Sequence, residues 1–144
     1  MFDDLDDLYA RFCDRTLPRE RWTHEAHLAV CWLDAARRPP AESLVFLRGA
    51  IRSYNDAVGT PNTDDDGYHE TLTTYFVGAV HTSAATDFGE ALTAAELDRA
   101  APQRHWSRAL LFSVEARRRW VEPDLEPLPW TAAALGLVAR SGSE

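Results

Sequence analysis

Apolar residues recur at intervals of three and four along most of this chain, and no segment alternates between apolar and polar residues. Such spacing puts the apolar side chains on one face of an α-helix, whereas a half-buried strand would need a period of two. The pattern therefore predicts an all-α protein. We expect residues 1–144 to form a single-domain helical bundle of five or more helices.

Four helices account for the first half of the chain. Prolines, a glycine and a polar loop separate them, and these are ordinary signals for the end of a helix. Thr23 is a good N-cap for the second helix, and Asp65 or Asp66 is the expected cap of the fourth. We expect these helices at about residues 2–15, from Thr23 to Arg38, from Pro40 to Gly59 and at about residues 68–81.

The second half of the chain is less regular. The capping box at residues 93–96 predicts a short helix, and residues 104–120 are expected to be helical, although Ser113 is equally able to start a new helix. Residues 122–144 form a Pro-rich tail that we expect to lie extended across the bundle. The predicted core residues are Trp22, Leu28, Trp32, Leu47, Ile51, Leu72, Phe76 and Leu110.

Composition narrows the range of partners. The net charge is -8 and the chain has no lysine, which argues against nucleic acid and anionic membrane surfaces, so we expect a small-molecule ligand. The N-terminus is acidic where a signal peptide would be basic, and we expect a cytoplasmic protein. Arginine without lysine, with abundant alanine, is typical of a GC-rich bacterial genome. Association into a homo-oligomer stays open.

Three of the five histidines stand where two helices are expected to begin. Short connections favour antiparallel neighbours, so the second and fourth helices should run parallel, with their N-termini at one end of the bundle. Helix dipoles there favour neutral imidazole, the form that binds metals. We therefore expect His24, His27 and His69 to converge on one divalent or transition metal ion, which we expect to be zinc, iron or copper.

Other polar residues near these histidines are candidates for catalysis and substrate binding. Glu70 is the best candidate for proton transfer, and Tyr68 is a second catalytic candidate. Asn62, Arg52 and Arg108 are candidates for binding a polar or anionic substrate. Alternatives stay open, because Glu70 also suits a helix start and Asn62 suits an ordinary turn.

Several motifs carry a resemblance to a known family. They are Trp22-Thr23-His24-Glu25-Ala26-His27, Asn62-Thr63-Asp64-Asp65-Asp66-Gly67-Tyr68-His69-Glu70-Thr71 and Glu115-Ala116-Arg117. Over about residues 20–129 the chain resembles a family of small bacterial all-α proteins. The resemblance supports the grouping of the three histidines and implies no reaction. At His105 the chain departs from the tyrosine that this family would have.

Three functional hypotheses follow from the sequence. The first is a metal-dependent enzyme acting on a small polar or anionic metabolite, with hydrolase, lyase or oxidase chemistry. The second is a metal-free protein that binds such a molecule and uses the same histidines as hydrogen-bond donors. The third is an interaction protein that docks a partner through exposed Trp106, Trp120 and Trp130, although such tryptophans more often belong to the core. His81 and His105 are interpreted as core histidines.

Overall fold

The computed structural model describes residues 4–139, and every regular element in that range is helical. The all-α prediction is therefore confirmed. Three short 3-10 helices, Arg19–Arg21, Ala95–Leu97 and Ala101–Arg104, lie in the connections. The α-helices are α1 (Leu5–Cys13), α2 (His24–Ala35), α3 (Pro40–Ala57), α4 (Glu70–Thr82), α5 (Phe88–Ala91), α6 (Arg108–Leu111) and α7 (Val114–Arg118). Between residues 4 and 139, no helix is both long and apolar enough to cross a membrane.

Helix α2 lies at the centre of the bundle, where it packs against α1, α3 and α4. Its sequence is apolar on most sides, and it buries residues around nearly its whole circumference, including Leu28, Ala29, Val30 and Cys31. A helix that is hydrophobic all round must be covered on all sides. Because α2 is central, the side chains at its start lie next to the start of α4.

The two helices that carry the histidines begin in different ways. Thr23 caps α2 as expected, because its hydroxyl accepts a hydrogen bond from Ala26 N at 3.3 Å. The expected aspartate cap of α4 is wrong, since the His69 imidazole is the N-cap and accepts from Leu72 N at 3.1 Å through Nδ1. Asp66 instead accepts a hydrogen bond from Gly67 N inside the loop.

The expected helix over residues 104–120 is divided into shorter pieces. The side-chain oxygens of Ser107 and Ser113 each accept a hydrogen bond from the backbone N–H three residues ahead, and the two serines cap α6 and α7. Serine favours caps because its hydroxyl competes with the helical backbone for hydrogen bonds. The alternative of a new start at Ser113 is thus the one observed.

The tail has no regular helix between residue 119 and residue 139. Trp130 rests on α4 at Gly78, where a Cβ would lie 2.3 Å from the indole. The indole of Trp106 is completely buried, and Trp120 and Trp130 are half-buried, so the three tryptophans belong to the packing of the bundle and are not exposed docking groups. Residues 140–144 of the predicted tail and residues 2 and 3 of the predicted first helix lie outside the described range.

The predicted core is partly observed. Leu28 and Leu47 are buried, and the other six predicted residues are half-buried and pack against the core. The largest fully buried side chains are instead Trp106, Tyr54, Tyr75 and Phe12. The half-buried residues include Ile51, Leu72 and Phe76, and these three share a cavity.

Candidate functional site

A cavity of about 900 Å³ opens where the start of α2 meets the start of α4. This volume lies toward the upper end of the roughly 300 to 1,000 Å³ of small-molecule sites. The three histidines expected to converge all line it. Apolar side chains form much of the remaining lining, among them Leu28, Leu47, Ile51, Leu72, Phe76 and Leu111.

His24 is held in one orientation by the backbone of another segment. Its Nε2–H donates to the carbonyl of Leu97 at 3.0 Å, and its ring meets the edge of Phe76 at a centroid distance of 5.3 Å. Leu97 is buried, so its carbonyl depends on this donor. The second ring nitrogen, Nδ1, makes no hydrogen bond with any residue in the range 4–139.

His27 is fixed within its own helix turn. Its Nδ1–H donates to the carbonyl of Thr23 at 2.8 Å, and its ring packs on Trp22 with centroids 3.8 Å apart. Part of His27 is exposed to the open cavity, and protein surrounds the ring on its other sides. Desolvation by this surrounding protein lowers the pKa of His27 to about 4, and repulsion by His24 and Arg99 adds to this, against the opposing effect of the Thr23 hydrogen bond.

These contacts define which ring atoms face a ligand. A carbonyl oxygen only accepts, so the protons lie on Nε2 of His24 and Nδ1 of His27. In the neutral rings, Nδ1 of His24 and Nε2 of His27 therefore carry lone pairs. No described residue occupies either atom. Neutral histidines in this arrangement are acceptors, and the donor role expected from the sequence would require the imidazolium form.

His69 differs from the other two histidines because both of its ring nitrogens are used. Nδ1 accepts from Leu72 N, and Nε2–H donates to the carbonyl of Leu111 at 2.7 Å. Burial lowers the pKa of His69, which keeps the ring in the neutral form that this bridge needs. A metal ion on His69 would have to replace one of these two contacts, so the expected three-histidine site lacks a free third imidazole.

Other metal ligands do not complete the site. In the described part of the chain, no three His, Cys, Asp or Glu side chains are grouped in a way that could hold a metal ion. Cys31 lines the cavity, but burial raises the pKa of its thiol, and the thiol donates weakly to the carbonyl of Phe76 at 3.7 Å. Thiolate is the form that binds metals and attacks electrophiles, so neutral Cys31 is poorly suited to either role.

Glu70 makes its contacts outside the main cavity. It accepts two hydrogen bonds from Arg48, at 3.0 and 2.7 Å, and one from the Tyr68 hydroxyl at 2.6 Å. It lines a second depression together with Arg52, and it is not among the lining residues of the main cavity. Glu70 is therefore badly placed to transfer a proton to or from a ligand at the histidines. The ring of Tyr68 does line the main cavity, although its hydroxyl is committed to Glu70.

The three expected substrate-binding residues lie around the cavity and do not line it. The amide of Asn62 is fully hydrogen-bonded. Its Oδ1 accepts from Asn55 Nδ2 and Tyr68 N, and its Nδ2 donates to the carbonyl of Arg52 and to the carboxylate of Asp56. These bonds hold the loop before α4 against α3. Arg52 lies over the Tyr68 ring at 5.1 Å.

Arg108 is exposed and reaches two residues of the cavity rim. It donates to Gln103 at 3.3 Å and lies over the ring of Phe112 at 5.3 Å. Both Gln103 and Phe112 line the cavity, and sequence reasoning overlooked them, as it did Trp22 in its role of packing on His27. Trp22 directly precedes the Thr23 cap, and this position before a cap was the available signal.

The remaining two histidines lie outside the cavity lining. His81 Nε2 is 3.2 Å from the Ser43 hydroxyl, and Nδ1–H of His105 donates to the carbonyl of Glu126 at 2.9 Å. Both contacts agree with the interpretation of these histidines as structural, with His105 attaching the tail to the bundle.

Comparison with known proteins assigns neither a family nor a function to the chain. No family model, no curated protein and no solved structure matches the chain.

Proposed function

We propose that the protein binds a small, largely apolar molecule in the cavity between α2 and α4. The apolar body of the molecule would rest on side chains such as Leu28, Ile51 and Phe76, which line the cavity. His24 and His27 would hold its polar group. Apolar concave sites with a few fixed polar groups are typical of small-molecule binding.

One observation carries this proposal. Two imidazoles with restrained orientations each have a ring nitrogen that no residue in the range 4–139 bonds, beside a mostly apolar lining. Water can reach these nitrogens in the open cavity, but an apolar ligand that covered them would remove that water, at a cost in free energy unless the ligand also supplied a hydrogen-bond partner. A ligand that carries the matching polar group would supply that partner, while its apolar body would remove the lining from water.

Binding of the fluorescent dye N-phenyl-1-naphthylamine tests the proposal, because its emission rises when it leaves water. We expect saturable binding to the unmodified protein and a large loss of affinity in Ile51→Trp, which fills the cavity. Val45→Trp is the matched control, since Val45 lies on the same helix, is exposed and does not line the cavity. Equal affinities in the two variants, with helicity retained in both, would contradict binding at this site.

A metal ion is a second candidate occupant, and the orientation of the two histidines favours it. Histidines that bind metals usually donate their other N–H to a carbonyl or carboxylate, as His24 and His27 do here. Zinc held there would supply Lewis-acid chemistry for a hydrolase or lyase, and iron or copper would supply oxidation chemistry. The two histidines would then leave most coordination positions for substrate and water.

Calorimetric titration of tag-free protein with zinc or copper tests this second candidate. Binding by the two free nitrogens predicts one site that disappears in His27→Asn and survives in His69→Asn, because the ring of His69 is already used. Loss of the site in both His27→Asn and His69→Asn would favour the three-histidine arrangement instead. The absence of binding heat for both metals would reject the metal candidate and leave the metal-free proposal standing.

A further inference from the structure

We infer that the ligand of this cavity is an uncharged, mainly apolar molecule that donates a hydrogen bond from a hydroxyl or N–H group to the His24 and His27 pair. This inference rests on the proposed function and names the chemical class of its ligand. It departs from the anionic metabolite expected from the sequence, since Arg52 and Arg108 do not line the cavity.

The hydrogen bonds of His24 and His27 run in a direction that leaves both rings as acceptors toward the cavity. Each donates its only N–H to a backbone carbonyl, of Leu97 or Thr23, and each leaves a lone pair. Reversing either ring would leave that carbonyl without its side-chain donor, and Leu97 is buried. Two fixed acceptors attract a donor, and they repel the lone pairs of a carboxylate.

Three polar side chains of the lining have already committed a donor hydrogen to the protein. The hydroxyl of Thr73 donates to the carbonyl of His69 at 2.9 Å, and the thiol of Cys31 donates to the carbonyl of Phe76. The amide N–H of Asn55 donates to Asn62. These groups line the cavity, but their hydrogens are turned toward the protein. Thr73 and Cys31 therefore offer a ligand no free hydrogen, whereas His24 and His27 each offer a ring nitrogen that can accept.

Positive and negative side chains are equal in number in the lining of the cavity. Its only Asp, Glu, Lys or Arg residues in the described range are Arg19, Arg99, Asp66 and Asp98, two of each sign, and all four are exposed. A charged group carried inward to the histidines would lose its hydration, and Arg99, which acts on His27, is exposed, so water screens its attraction for an anion. Positive dipoles at the start of α2 disfavour a cation there and offset only part of the cost for an anion. An uncharged donor avoids both costs.

Three probes with the same eight-carbon tail test the inference by calorimetry at pH 7.5. They are 1-octanol, octanoate and octylammonium, which are neutral, anionic and cationic. We expect 1-octanol to bind at least about tenfold more tightly than either ion, since the ions would bury an unpaired charge. Octanoate or octylammonium binding as tightly as 1-octanol overturns the inference, and the proposed function then still stands. If no probe binds, and N-phenyl-1-naphthylamine does not bind either, the proposed function fails together with the inference.

Two substitutions locate the hydrogen bond without removing the structural contact of either ring. In His24→Gln the side-chain amide nitrogen can replace Nε2 toward Leu97, and in His27→Asn it can replace Nδ1 toward Thr23. Both remove the free ring nitrogen. We expect the affinity for 1-octanol to fall by about five- to tenfold in each, the usual net value of one hydrogen bond. His81→Asn, outside the lining, is the control and should leave the affinity unchanged. Folded variants that bind 1-octanol as the unmodified protein does would overturn the inference.

Discussion

Replacement of His69 by alanine should destabilise the protein, although His69 lies beside the candidate ligand site. The imidazole caps α4 through Leu72 N and also satisfies the carbonyl of buried Leu111. Loss of an N-cap costs about 1 kcal/mol. A buried carbonyl left without a partner costs a further 1 to 3 kcal/mol, roughly. We therefore expect His69→Ala to lower the free energy of unfolding by about 2 to 4 kcal/mol.

Urea unfolding followed by far-ultraviolet circular dichroism measures this loss. His69→Asn separates its two parts, because asparagine is a good N-cap but is too short to reach Leu111. We expect His69→Asn to be less destabilising than His69→Ala by about the value of the cap, roughly 1 kcal/mol. A loss below about 0.5 kcal/mol in His69→Ala would refute the bridging role, since that is the scatter of ordinary surface substitutions.

Three further predictions follow from the same structure. Burial lowers the pKa values of His27, His69 and His81, so the unfolded chain binds more protons than the folded one below about pH 6.5. The free energy of unfolding, measured by urea titration, should therefore fall between pH 7 and pH 4. Equal stability at pH 7 and pH 5 would contradict this. Gly78→Ala should lower the stability of the protein by about 1 to 3 kcal/mol, because the new methyl group displaces Trp130. Gly49→Ala has open space around it and should stabilise α3 by about 0.5 to 1 kcal/mol. In thermal unfolding, the two variants should shift the melting temperature in opposite directions. Glu70→Gln should lower stability by weakening the contact with Arg48 but leave dye affinity unchanged, and a matching loss of affinity would return Glu70 to the binding site.

The helices that could be predicted from sequence are those with long periodic stretches. Helices α1 to α3 follow the three- and four-residue spacing closely. Thr23 marks the start of α2 and Pro40 the start of α3, as expected. The region after Ser83 was less predictable, because its short helices are set by serine caps and by contacts with the tail. Ser107, for example, bonds Asp124 from a distant part of the chain. Such a contact leaves no local pattern.

The candidate site was predictable in location but not in chemistry. Helix order alone places His24, His27 and His69 around one cavity, as expected from short connections. The sequence does not reveal which ring nitrogens are already bonded, because the carbonyls of Leu97 and Leu111 lie more than 40 residues away along the chain. His69 consequently looked like a metal ligand when its ring serves as a helix cap. Glu70 looked like a base for the same reason, since its partner Arg48 belongs to another helix.

Nuclear magnetic resonance of protein labelled with ¹⁵N in its histidine rings tests the central claim most directly. Titration with 1-octanol should shift the resonances of His24 Nδ1 and His27 Nε2, the two ring nitrogens left unpaired at the cavity. The ring-nitrogen resonances of His81 and His105, which lie outside the cavity lining, should not shift, and those of His69 should shift less, because both of its ring nitrogens are already hydrogen-bonded. Saturable binding that leaves His24 and His27 unshifted, or that moves the other three instead, would contradict the claim that this histidine pair holds the polar group of the ligand.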